Sequence, residues 1–117
     1  MKDILIIDFN RVHRAYMKLL FRKSGLNTIF PKNENELYKI IDSKSKVDII
    51  IVELISYEGS YKSLIKLLRS RYGMIHIIGI NELLKEEELY KYLELGFDKV
   101  FLHKIKRSSL MSILKIQ

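Results

Sequence analysis

A doubly wound α/β domain, five short parallel strands alternating with five helices, is what this 117-residue chain predicts. Three observations carry that expectation. The run Ile49 to Val52 consists of four β-branched residues, as in a central strand buried on both faces. Apolar runs of this kind alternate along the whole chain with stretches of helical periodicity, an order that calls for right-handed crossovers and a parallel sheet covered on both sides. Gly25, Gly73 and Gly96 stand where the helical stretches have to stop.

The first strand is Ile4 to Asp8, apolar and closed by an acid. Asn10 then caps a helix running to about Ser24. On that helix Val12, Ala15, Tyr16, Leu19 and Leu20 share one face, predicted to turn inward, while Arg11, Arg14, Lys18 and Arg22 form a cationic stripe. Leu26 to Phe30 is a second short strand, ended by Pro31. Asn33, with Glu36 three residues on, begins a helix through about Ser43 in the manner of a capping box. Lys46 to Leu54 contains the central third strand. A loop from Leu54 to Gly59 precedes a helix whose apolar positions are Leu64, Ile65, Leu67 and Leu68. Ile75 to Ile80 is the fourth strand. Asn81 and Glu82 lead into a helix with Leu89, Tyr92, Leu93 and Leu95 apolar, and Lys99 to Leu102 is the fifth strand. The last helix covers about Arg107 to Ile116.

The totals bound the answer further. At 48% hydrophobic content, residues 1–117 read as a single domain with its own core, leaving no stretch for an effector module. The lack of cysteine removes disulfides, thiolate metal sites and cysteine nucleophiles, and fits a cytoplasmic protein. The apolar stretch Ile4 to Ile7 is too short for a signal-peptide core, and no run approaches a membrane span. A net charge of +7 suggests acidic partners, but the basic residues are spread along the chain and no nucleic-acid motif accompanies them. The three histidines, His13, His76 and His103, fall on different elements without metal-ligand spacing, and are read as structural or solvated.

Glu53 is the residue to question first, because open parallel sheets place their sites at the C-terminal ends of their strands. Three segments, ILIIDFN at the first strand, DIIIVE at the third and LELGFDKVFLHK before the last helix, resemble the receiver domain of two-component response regulators. The resemblance implies a flavodoxin-like (βα)5 sandwich with strand order 2-1-3-4-5. It also implies an acceptor aspartate after the third strand, an acidic pair after the first to hold Mg²⁺, a hydroxyl after the fourth and a lysine after the fifth.

Matched residue by residue, the chemistry is depleted. Glu53 stands at the acceptor position, its extra methylene displacing the carboxylate from in-line geometry. Of the acidic pair only Asp8 remains, followed by Phe9, with Asn10 as a further remnant of the pocket. Gly79 is read at the switch-hydroxyl position and Phe101 at the aromatic switch position. Lys104, or His103 in strict register, fills the lysine position, and Ile105 replaces the usual proline. No metal or other cofactor is expected; Asp8 and Glu53 would be the ligands if Mg²⁺ were bound. Asp8 and Glu53 are read instead as acids that cap helices or pair with Lys104.

The function implied is a non-enzymatic, degenerate receiver that works by phosphorylation-independent protein–protein contact. Its partner would be a signalling protein or a second copy, docked on the helix 4–strand 5–helix 5 face from about Lys85 to Ile116, where Tyr90, Phe101, Glu86 to Glu88, Lys104, Lys106 and Arg107 mix both charge signs with aromatics. An active phospho-receiver is the alternative. A nucleic-acid-binding module using the basic stripe of the first helix is the weaker one.

Overall fold

The computed structural model describes residues 2–114. Its elements are β1 (Asp3–Ile7), α1 (Arg11–Phe21), β2 (Asn27–Ile29), α2 (Glu34–Asp42), β3 (Ile49–Glu53), α3 (Tyr61–Tyr72), β4 (His76–Ile80), α4 (Leu89–Leu95), β5 (Lys99–Phe101) and α5 (Arg107–Leu114). The final residues of the expected last helix, 115 and 116, lie outside the described residues. All five strands are parallel, in the order β2-β1-β3-β4-β5. The doubly wound sandwich predicted from the alternation is therefore the observed fold.

The pleat divides the strand residues between two cores, since successive side chains point to opposite faces. Ile4, Ile6, Ile49, Ile51, Ile78 and Ile80 pack with Met17 and Phe21 of α1 and with Ile105 ahead of α5. Leu5, Ile7, Ile50, Val52 and Ile77 pack on the other side against α2, α3 and α4. Every residue of β3 is buried, including Glu53. An Ile50→Ala cavity in such a layer would cost about 2–5 kcal/mol, so the strand ends beneath the site stand on a fully buried layer.

Local sequence accounts for the helix boundaries. The Asn10 side chain accepts from His13 N at 2.9 Å, and Asn33 accepts from Glu36 N at 2.9 Å. Glu36 reaches back one residue beyond the cap, to Lys32 N at 3.0 Å. Ser60 caps α3, accepting from Ser63 N. At the end of α4, Gly96 adopts φ 114°, a left-handed conformation that a side chain would strain. After Asn81 the chain does not enter α4 directly: α4 begins only at Leu89, behind a 3₁₀ turn at Glu86–Glu88.

Helix α1 corrects the expected facing. Val12 is 80% exposed and Leu19 65%, with Ala15 also exposed, whereas Arg14, Met17 and Phe21 are the buried positions. Tyr16 and Leu20 are half-buried against the core. Arg14, assigned from its charge to the outer stripe, lays its aliphatic stem inward and donates from Nη1 to the Asp8 carbonyl at 3.0 Å. A guanidinium that finds a carbonyl at a strand end can be buried, and this one turns the helix accordingly.

One side chain ties together three βα units. Arg69 of α3 donates to the carbonyls of Ile75 and Gly96, and its Nη2 meets Asp98 Oδ2 at 2.8 Å. Asp98 Oδ2 also accepts from Ile77 N at 2.7 Å.

Candidate functional site

A cleft of about 190 Å³ opens at the C-terminal edge of the sheet. Its floor comes from the ends of β3 and β4 (Glu53, Ile80, Asn81), and its walls from the starts of α1 (Asn10, His13), the β3–α3 loop (Ile55, Ser56) and the β5–α5 segment (His103, Lys104). Parallel strands with helices on both faces bring these separate loops to one edge, which is why the site forms there.

Asp8 is fully buried. Its Oδ1 accepts from Asn10 N at 3.1 Å, and its Oδ2 is paired with Nδ1 of His13. That hydrogen bond holds the His13 imidazole above its ordinary pKa, with partial burial opposing and the Asp8, Glu53 and Glu82 charges reinforcing the rise. The side chain facing Asp8 is thus a histidine one helical turn past the cap.

Glu53 is 7% exposed and folds back over its own loop. Its Oε1 accepts from Ile55 N at 3.0 Å and from Asn81 Nδ2 at 2.7 Å, and its Oε2 accepts from Ser56 N at 2.7 Å. Asn81 is fixed in turn, its Oδ1 accepting from Leu83 N at 2.6 Å. Among the described residues the carboxylate therefore meets three neutral donors and no cation.

Lys104 forms no salt bridge with either acid among the described residues. Its ammonium lies 4.8 Å from the centroid of the Tyr16 ring, whose hydroxyl donates to the Ile105 carbonyl. The pairing of Asp8 or Glu53 with Lys104 read from the sequence is replaced by the bonds to His13 and Asn81. Lys104 and His103 both line the cleft.

The other assigned positions are spread out. Gly79 lies within β4 opposite Val52, and a Cβ there would stand 2.9 Å from Leu54 Cδ1; the side chain that reaches Glu53 is that of Asn81, two residues later. Phe101 is half-buried in β5, packed on the α1-side core, with the Lys99 ammonium 5.1 Å from its ring. Phe9 turns away from the cleft to pack on Tyr57, centroids 6.0 Å apart, and its N–H donates to Ser56 Oγ at 3.0 Å. Tyr57 continues through Tyr61 to Tyr92 of α4 as a chain of ring contacts. Burial raises the pKa of the Tyr61 hydroxyl, which donates to the Leu54 carbonyl just after Glu53.

His13, Ser56 and Asn81 are the site residues that sequence reasoning did not assign. The signal for His13 was its place three residues after the Asn10 cap, on the turn beside the acid; for Asn81 it was its place as the first residue past β4. Among the described residues no three His, Asp, Glu or Cys side chains are grouped so as to hold a metal ion.

Comparison with solved structures follows this geometry. A two-component response regulator from Clostridium difficile superposes with a TM-score of 0.81 at 23% identity, over 98% of this chain and 93% of that one. This is the receiver fold. The receiver domain of a sensor histidine kinase from Pseudomonas aeruginosa, with a magnesium ion coordinated in its active-site cleft, superposes with a TM-score of 0.77 at 17% identity, over 97% of this chain and 94% of that one. A chemotaxis protein from Vibrio cholerae gives 0.80 at 17% identity, over 98% and 97%. No protein-family model matches the sequence, and no curated protein matches it. The neighbours share the receiver fold while differing from this chain at about four positions in five, so this chain's chemistry rests on its own residues. No helix among the described residues is long and apolar enough to cross a membrane.

Proposed function

We propose that this chain is a receiver-like signalling module in which the phosphorylation site has become a structural one, so that it acts by protein–protein contact without phosphoryl transfer. The observation that supports this most is the state of the two acids. Asp8 faces His13, and both oxygens of Glu53 are taken by Ile55, Ser56 and Asn81. Mg²⁺ demands near-octahedral oxygen coordination. Here one acid already has a nitrogen partner, Phe9 contributes no side-chain oxygen, and the remaining carboxylate is held by three donors, so these residues do not fit the ion. Nor is a phosphate cradle assembled, because Lys104 rests on Tyr16.

The docking surface is the α4–β5–α5 face. Tyr90 of α4 is 70% exposed, as are Glu86 and Glu87 before it, and Lys104, Lys106 and Arg107 are exposed at the start of α5, a mixture of aromatic and opposite charges that suits a protein partner or a second copy. The reading is tested by intact-mass measurement after incubation with Mg²⁺ and acetyl phosphate. No phosphoryl increment is expected. An increment that disappears in Glu53→Gln would show an active receiver and end this reading.

A further inference from the structure

Charge is distributed unevenly over this fold. Residues 9–33 contain six Lys and Arg and no acid, and residues 99–117 contain five and no acid. Residues 82–98 contain six acids against the two lysines Lys85 and Lys91. Among the described residues, α1 and α4 pack on different sides of the sheet. Tyr16 bonds to Ile105, and Ile105 packs in the same core as Met17 and Phe21, so α1 and the β5–α5 segment cover one side of the sheet. Tyr92 and Phe97 place α4 on the other side.

Each surface also carries apolar groups that its own core does not use. On α1, Val12 and Leu19 stand opposite the buried row of Arg14, Met17 and Phe21, flanked by exposed Arg11, Arg22 and Lys23. On α4 Tyr90 is 70% exposed and Leu93 is exposed too, in a segment whose Glu86, Glu87 and Glu94 are exposed together with Lys85 and Lys91. The α1 face and the α4 edge are complementary in sign, and they belong to helices packed on different sides of the sheet.

We infer that the occupant of the basic, apolar-crested face of α1 is the acidic α4 edge of a second copy of this chain, so that the protein associates head to tail. The inference rests on the reading of the α4 face as a docking surface and adds what it docks against. A contact between two different patches is heterologous and propagates from copy to copy, unlike a two-fold contact of one face with itself. Opposite charges across it accelerate encounter and fix register, and make association fall with ionic strength.

Sedimentation velocity on the full chain, with two charge-reversed variants, tests this. Arg11→Glu/Arg22→Glu reverses the α1 face and Glu86→Lys/Glu87→Lys reverses the α4 edge; none of the four residues lines the cleft. The wild-type chain should sediment above monomer size at about 20 mM salt and return toward monomer at about 500 mM. Each variant alone should remain monomeric at low salt, and an equal mixture of the two should regain association, because each then offers what the other lost. That recovery also shows that both variants fold. The inference is overturned if the wild type is monomeric at every salt, if mixing restores nothing, or if Arg11→Glu/Arg22→Glu associates as the wild type does, which would indicate a symmetric α4 contact. A monomeric chain that instead shifts a 20-base-pair duplex (about two helical turns), and loses that with Arg11→Glu/Arg22→Glu, would assign the α1 face to nucleic acid. A phosphoryl adduct at Glu53 would remove the functional reading and leave these masses as they are.

Discussion

β1 and β3 run side by side and both end in buried carboxylates, yet the two acids are satisfied by opposite means. Asp8 is met by a titratable cation partner, His13, whereas Glu53 is met by two backbone N–H groups and an amide, none of which changes charge in the physiological range. The difference shows two ways for one sheet to satisfy a buried carboxylate. Such a group needs donors or an opposite charge, and this fold uses one histidine at one acid and a ring of neutral donors at the other.

The largest effect is expected at Glu53. Glu53→Leu strands three donors at once, and a loss of about 3 kcal/mol in urea unfolding is expected, taking the lower end of the cost per orphaned group. An unchanged midpoint would mean that water satisfies the loop equally well. Next comes Asp8→Asn, expected to cost about 1–2 kcal/mol near pH 6, in keeping with a charge-assisted bond to a partly exposed partner. Here pH separates the two acids. His13 has its pKa raised above the ordinary 6.5, so the stability it contributes is fully present below about pH 6.5 and is lost as pH rises through the raised folded value. The cost of Asp8→Asn should therefore shrink between pH 6 and 9, and that of Glu53→Gln should shrink less, because Glu53 acts on His13 only through its charge and more weakly than Asp8. Parallel pH dependence in the two variants would show that His13 does not carry the difference. The smallest effect is expected at Lys104: removing an exposed ammonium that contacts only a tyrosine face, as in Lys104→Met, should change stability by about 0.5 kcal/mol. A loss several times larger would place Lys104 in an acid pair after all.

The fold was legible because its determinants are local. Ile49 to Val52 could only be a doubly buried strand, the Asn10 and Asn33 caps act within three residues, and Gly96 marks a left-handed stop. Helix α1 was misread because its apolar residues encircle it. Val12, Ala15 and Leu19 complete a stripe as regular as the one through Met17 and Phe21, and only the carbonyl of Asp8 decides that Arg14 goes inward. At the site, the acids were legible as strand ends, but their partners were not. Asn81 reaches Glu53 across 28 positions, and the register that sets Glu53 opposite Ile80 decides that Asn81 and not Gly79 stands over the carboxylate. Such pairings follow from strand register, which the residues of one strand alone do not specify.

The Arg69 clamp sets the order in which the molecule can come apart. With one guanidinium holding carbonyls at the entry to β4 and the exit of α4, and the Asp98 side chain shared with the Ile77 amide, α4 cannot peel from the sheet without releasing the β4 and β5 edges too. Release of this clamp is therefore expected to loosen the exit of α4 and the β4 and β5 edges together.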